Sequence, residues 1–234
     1  MNNRFRTIGE REFKTQMIST KNLSEMPAIE ELKRLTKSLA TLDAIIERDW
    51  EGRYYSFNAR WDANEQLASM RNGEGNSWFC VFGVPGAFLK GFDHESKMAQ
   101  DITRTRTVWP GVLSDLPEQF KSFATEPAFL MQNSTFCIWR NQTDRQWNKG
   151  KIAYPAGHDP DGSGRLLRIF DANPNTYKQW AEDYYKRPIS LLFVEHIYAH
   201  KPLTEGVVRG LNQNTNIAEL SDDLGEIGYP VSTD

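Results

Sequence analysis

The 234 residues carry 39% hydrophobic and 25% charged side chains, the balance of an ordinary globular domain, which excludes a disordered or fibrous chain. Twenty-eight basic residues against 31 acidic ones leave a formal net charge of -3, so no global electrostatic pull draws the chain toward nucleic acid or an anionic membrane. No apolar stretch approaches the roughly 18 residues that a membrane-spanning helix needs, and the N-terminal MNNRFRTIGEREF lacks the apolar centre of a secretory signal.

Residues 1–24 are polar and aperiodic and read as an N-terminal extension, with Glu10 and Glu12 arguing against an organellar leader. From Pro27 to Asp49, Leu32, Leu35, Leu39, Leu42 and Ile46 recur at steps of three and four, the face of a long amphipathic helix. The segments 53–57, 66–71, 77–83 and 87–92 are short, aromatic-rich and separated by turn residues, which predicts an antiparallel meander. WFCVF is apolar on both faces and belongs centrally in that sheet. Asn72, Gly73 and Gly75 suit a hairpin loop, and Pro85-Gly86 suits the central positions of a type II turn.

Further along, Ser114 or Asp115 can cap a short helix bearing Leu116, Phe120 and Phe123, and Pro127 ends it. Segments 134–140, 151–154 and 165–170 are further strand candidates. Asn173-Pro174 opens a helical region in which Tyr177, Trp180, Ala181 and Tyr184 share a face, followed by a helix to His200 and one capped by Thr204. The expectation is α+β: an antiparallel meander of about five to seven strands packed with a long N-terminal helix and a C-terminal helical segment. A single domain over residues 25–212 would then leave 213–234 as a polar tail. Cys80 and Cys137 each sit in an apolar run and read as buried free thiols, which places the chain in the reducing cytoplasm.

Three constellations invite a chemical reading. Asp159-Pro-Asp161-Gly-Ser163-Gly164 copies the start of a calcium loop, but position twelve is Phe170 where a glutamate should close the site. His196 and His200 have zinc spacing on a helix, yet no third ligand can be nominated. Asp93-His94-Glu95 follows a strand, where consecutive side chains point apart. No metal site, cofactor or catalytic residue is assigned. The densest unusual region runs from Asp49 to Gly75 and mixes Trp50, Tyr54, Tyr55 and Trp61 with Arg53, Arg60 and Arg71; a second group surrounds Trp139 and Arg140. Trp, Tyr and Arg dominate interface hot spots.

The segments YYSFNARW, EQLASMRNGEGNSWF, WPGVLSDLP, TFCIWRN and the run from DPDGSGRLL to AHKPLTE resemble a bacterial family of cytoplasmic proteins without an assigned activity. The resemblance covers roughly residues 28–212 and implies a bacterial cytoplasmic protein. The leading expectation is a non-enzymatic protein-binding module, immunity- or regulator-like, that meets a protein partner through Trp61, Glu65, Arg71, Trp139 and Arg140. The alternative is an enzyme on a small polar or anionic substrate, with Arg71 and Arg140 binding the anion and Glu65 or His94 moving protons. Nucleic-acid binding ranks third, because the charge balance is acidic.

Overall fold

The computed structural model describes residues 17–232, so Glu10 and Glu12 of the leading extension lie outside the described residues. Helix α1 (Ile29–Ile46) follows the expected leucine stripe, and Glu31 at its third position accepts from the Ala28 N–H. Six strands follow: β1 (Tyr55–Asp62), β2 (Glu65–Arg71), β3 (Ser77–Gly83), β4 (Gly86–Phe92), β5 (Phe136–Asn141) and the short β6 (Asn148–Lys149). They lie in sequence order in one antiparallel sheet. The chain is α+β, as the alternation of turn residues and aromatic runs predicts.

Both sheet faces are covered. On one, Phe57, Met70, Trp78 and Phe136 meet α1 and the C-terminal helices α5 (Pro174–Tyr185), α6 (Leu191–Tyr198), α7 (Glu205–Leu211) and α8 (Ser221–Ile227). On the other, Phe79, Val81, Phe88 and Trp139 meet α2 (Lys97–Thr105), α3 (Lys121–Ala124) and the loops around Phe129. Burial on both faces explains why β3 is apolar at consecutive positions. Cys80 faces the first layer and Cys137 the second, so they cannot pair, and both are free. Among the described residues no helix is long and apolar enough to cross a membrane.

Several local expectations change. The β3–β4 turn centres on Val84 and Pro85, with Gly83 paired to Gly86; a Cβ on Gly86 would stand 2.1 Å from the Arg140 carbonyl oxygen. Residues 151–154 are irregular, and 165–170 are helical, divided between α4 (Ser163–Leu166) and a following 3-10 turn. The short helix near Phe123 begins after Pro117 rather than at Ser114 or Asp115. Helix α2 carries an apolar stripe of only Met98, Ala99 and Ile102, which is too narrow to stand out from its polar surroundings. Residues 213–232 do not trail as a tail: Leu220, Leu224, Ile227 and Tyr229 are buried, and α8 packs on β1 and α1. Residues 17–24 are anchored too, through buried Ile18 and Thr20.

Lys90 points into the second layer, 2% exposed, donating to the Asn133 carbonyl oxygen at 2.8 Å and lying 5.4 Å from the Phe79 ring centroid. Burial pulls its ammonium down to about 8. With the folded-state value below the unfolded one, protonation favours unfolding, so stability falls as pH drops from about 10 through 8. Lys90→Met should therefore gain roughly 1–2 kcal/mol near pH 7 and flatten that slope. Urea melts at pH 7 and 10 check this, and a loss of stability at pH 7 would reject it.

Candidate functional site

The end of the sheet where β2 turns into β3 carries two hydrogen-bonded networks built on buried carboxylates. The foundation of the first is Asp43, 0% exposed near the end of α1. One carboxylate oxygen accepts from the Tyr54 N–H at 2.9 Å and the Tyr55 N–H at 2.8 Å, and the other from the Tyr177 hydroxyl at 2.7 Å. One side chain thus joins α1, the start of β1 and α5. Burial pushes its carboxyl up to about 6, and these hydrogen bonds only partly offset the desolvation. The anchored backbone sets the Tyr54 ring 4.7 Å from Trp180 and 5.2 Å from Tyr184, while Trp180 and Tyr184 stack at 5.4 Å.

A second network fixes the facing wall. Asp159 accepts from the N–H groups of Gly164 and Arg165, both at 3.0 Å, and Asp161 accepts from the hydroxyls of Thr20 and Ser163. The calcium-like carboxylates are thereby occupied by protein donors, and they initiate α4 instead of the expected strand. Arg165 forks onto buried Asp93 and also meets Glu95, so two segments remote in sequence are clamped together. Gly162 makes the clamp fit: its φ is +73°, and a Cβ there would stand 2.1 Å from an Asp93 oxygen. His94 points elsewhere, its Nδ1 lying 2.8 Å from the Asn76 amide oxygen.

One cavity lies between the walls, and a second lies on the other side of Tyr54. The larger, about 570 Å³, is lined by Tyr54, Asn76, His158, Arg165, Arg168 and Trp180 among others. The smaller, about 240 Å³, is lined by Trp50, Arg53, Tyr54, Ser56, Ser69 and Arg71 among others. Tyr54 is common to both, so the cavities make a two-part groove that flanks it at the end of β1 and β2, the larger on the Met70 face of the sheet and the smaller on the Arg71 face. Arg53 is neutralised by Asp223, whereas Arg71 and Arg168 have no carboxylate partner among the described residues.

Of the five binding residues expected from sequence, only Arg71 lines this groove. Trp61 and Glu65 lie at the opposite end of the sheet, Trp61 37% exposed and stacked on Phe129. Glu65 is raised by burial and by neighbouring Asp62 and Glu126. Trp139 is 3% exposed within the second core layer. Arg140 donates to the Asp144 carbonyl oxygen at 3.1 Å. His196 lies 2.9 Å from the Pro202 carbonyl oxygen through Nε2, and His200 packs edge-on against Tyr229. Among the described residues, no three His, Cys, Asp or Glu side chains group as metal ligands. Sequence reading missed Trp180, Arg165 and Arg168, whose convergence with Tyr54 is purely spatial. Comparison with protein-family models, curated proteins and solved structures finds no match.

Proposed function

We propose that this chain is a non-enzymatic binding module, immunity- or regulator-like, that takes a segment of a protein partner into the groove around Tyr54. The observation that carries the reading is a pair of cavities flanking Tyr54, which combine the aromatic faces of Trp50, Tyr54 and Trp180 with two carboxylate-free guanidiniums, Arg71 and Arg168. Trp, Tyr and Arg in a shaped depression are the side chains that concentrate binding energy. Most carboxylates around it serve the fold: Asp43, Asp93, Asp159 and Asp161 all hold protein donors. Two free buried thiols support a reducing, cytoplasmic setting, and the sequence resemblance supports a bacterial source.

The second reading, an enzyme acting on a small polar or anionic substrate, draws on the larger cavity, where exposed His158 stands with Arg168. Capture of a stoichiometric partner from the native host, followed by titration with variants, separates the two. Arg168→Glu should weaken the complex about thirtyfold, the effect of losing one hot-spot arginine, while Lys201→Glu, remote from the groove, should not. Failure to recover a stoichiometric partner, or equal binding by the Arg168 variant, rejects the binding-module reading.

A further inference from the structure

We propose that the smaller cavity is an oxyanion subsite of this groove, receiving an anionic side chain, carboxylate or phosphoryl, from the bound segment. The proposal rests on the groove reading for its peptide context, and on the cavity's own chemistry for its charge. The Arg71 guanidinium lies 5.0 Å from the Phe79 ring centroid, and burial lowers its pKa. The guanidinium carries its five N–H donors along its edge, and the contact with the Phe79 ring supplies none of them with an oxygen acceptor. No hydrogen bond or ion pair engages that edge among the described residues.

The floor complements the guanidinium. Ser56 and Ser69 face each other in register across β1 and β2, their hydroxyl oxygens 2.7 Å apart. Whichever donates, the other keeps its own hydrogen free, so the pair always presents one O–H donor. Ser69 and Arg71 are two apart on one strand and project to the same face, about 7 Å apart along it. An oxyanion between them can accept from the Arg71 edge and the free hydroxyl together. Trp50, 59% exposed, and Tyr54 supply apolar walls for the stem that carries the anion. Two other charged residues line the cavity. Arg53 is locked by Asp223 and by the carbonyls of Glu47 and Arg48, and Glu51 is exposed, where water screens it.

The probes are phenyl phosphate and phenylacetate, with benzyl alcohol as the neutral control, titrated into the full chain while the Trp50 indole N–H and Arg71 Nε–H resonances are followed. Both anions should shift the two resonances, and Arg71→Gln should weaken their binding about tenfold, the worth of one charge-assisted hydrogen bond. A Ser56→Ala, Ser69→Ala double variant should weaken it less. Stronger binding of phenyl phosphate than of phenylacetate assigns a phosphorylated side chain, and the reverse assigns Asp or Glu. Shifts of equal size with benzyl alcohol, or anion binding indifferent to Arg71→Gln, overturn the subsite. Anion binding here without any captured partner keeps the subsite and removes the protein-binding reading; a captured partner indifferent to Arg71→Gln does the opposite.

Discussion

Asp43→Ala is expected to lower the unfolding free energy by about 4 kcal/mol, the largest loss from any single side chain near the groove. The substitution removes the acceptor for the Tyr54 and Tyr55 N–H groups and for the Tyr177 hydroxyl at once. Tyr55 and Tyr177 are buried, so water cannot replace the lost acceptor without opening the packing between α1, β1 and α5. Each stranded donor costs about 1–3 kcal/mol, and relief of the buried carboxyl's desolvation returns part of the sum. Because Tyr54 is set by this contact, the variant should also lose groove binding in whatever fraction stays folded. Stability within 1 kcal/mol of the parent in chemical denaturation would show that the three hydrogen bonds do not anchor the site.

Asp43→Asn separates charge from shape. The folded-state pKa of Asp43 is raised to about 6 from 3.8, so below the lower value the carboxyl is protonated in both states. As pH climbs toward 6, the unfolded chain releases its proton while the folded chain retains it, and the Asp43 contribution to stability declines across that window. At 1.36 kcal/mol per unit, the decline totals on the order of 3 kcal/mol. Asparagine carries no such dependence, so the stability gap between parent and Asp43→Asn should move by that amount in favour of asparagine from about pH 3.5 to 7. Other carboxylates cancel in the difference. A gap that stays constant with pH would mean the hydrogen bonds outweigh desolvation and Asp43 ionises normally.

How much was legible depended on whether a signal was local. The α1 stripe Leu32, Leu35, Leu39 and Leu42 is repetitive and fully reproduced, and so is the order of strands around SWFCVFG. RLLRIF misleads because four apolar side chains within six residues are too short a stretch to separate strand from helix by period; what decides it is Asp159 accepting from the Gly164 and Arg165 N–H groups. The C-terminal residues read as a tail because Leu220, Leu224 and Ile227 are sparse among acidic side chains, yet that spacing suffices for a short helix against β1. Aromatic content betrays nothing about direction: Trp139 is core, while Trp180, read as a helix packing residue, also lines the groove. The Asp93–Arg165 clamp joins segments that no short-range pattern relates.

That clamp makes Gly162 the second sensitive position, and Gly162→Ala should cost roughly 3 kcal/mol. Part of the cost is conformational, about 1–2 kcal/mol for placing alanine at a φ of +73°. The rest is steric, since the new methyl would stand 2.1 Å from an oxygen and 2.2 Å from the Cβ of Asp93. Asp93 cannot step aside freely. It is 1% exposed, forked by Arg165, and its carboxylate also accepts from the Glu95 N–H. The strain should therefore be relieved by parting Asp93 from Arg165, which shifts the α4 wall with Arg168 and lowers groove affinity even in folded molecules. Gly225→Ala is the matched control, a helical glycine whose added Cβ meets nothing within 4 Å, and it should be neutral or stabilising by about 0.5–1 kcal/mol. Thermal melts of the pair should separate them by roughly 6–12 °C; equal melting temperatures would mean that the loop accommodates a side chain and the close approach to Asp93 does not govern the wall.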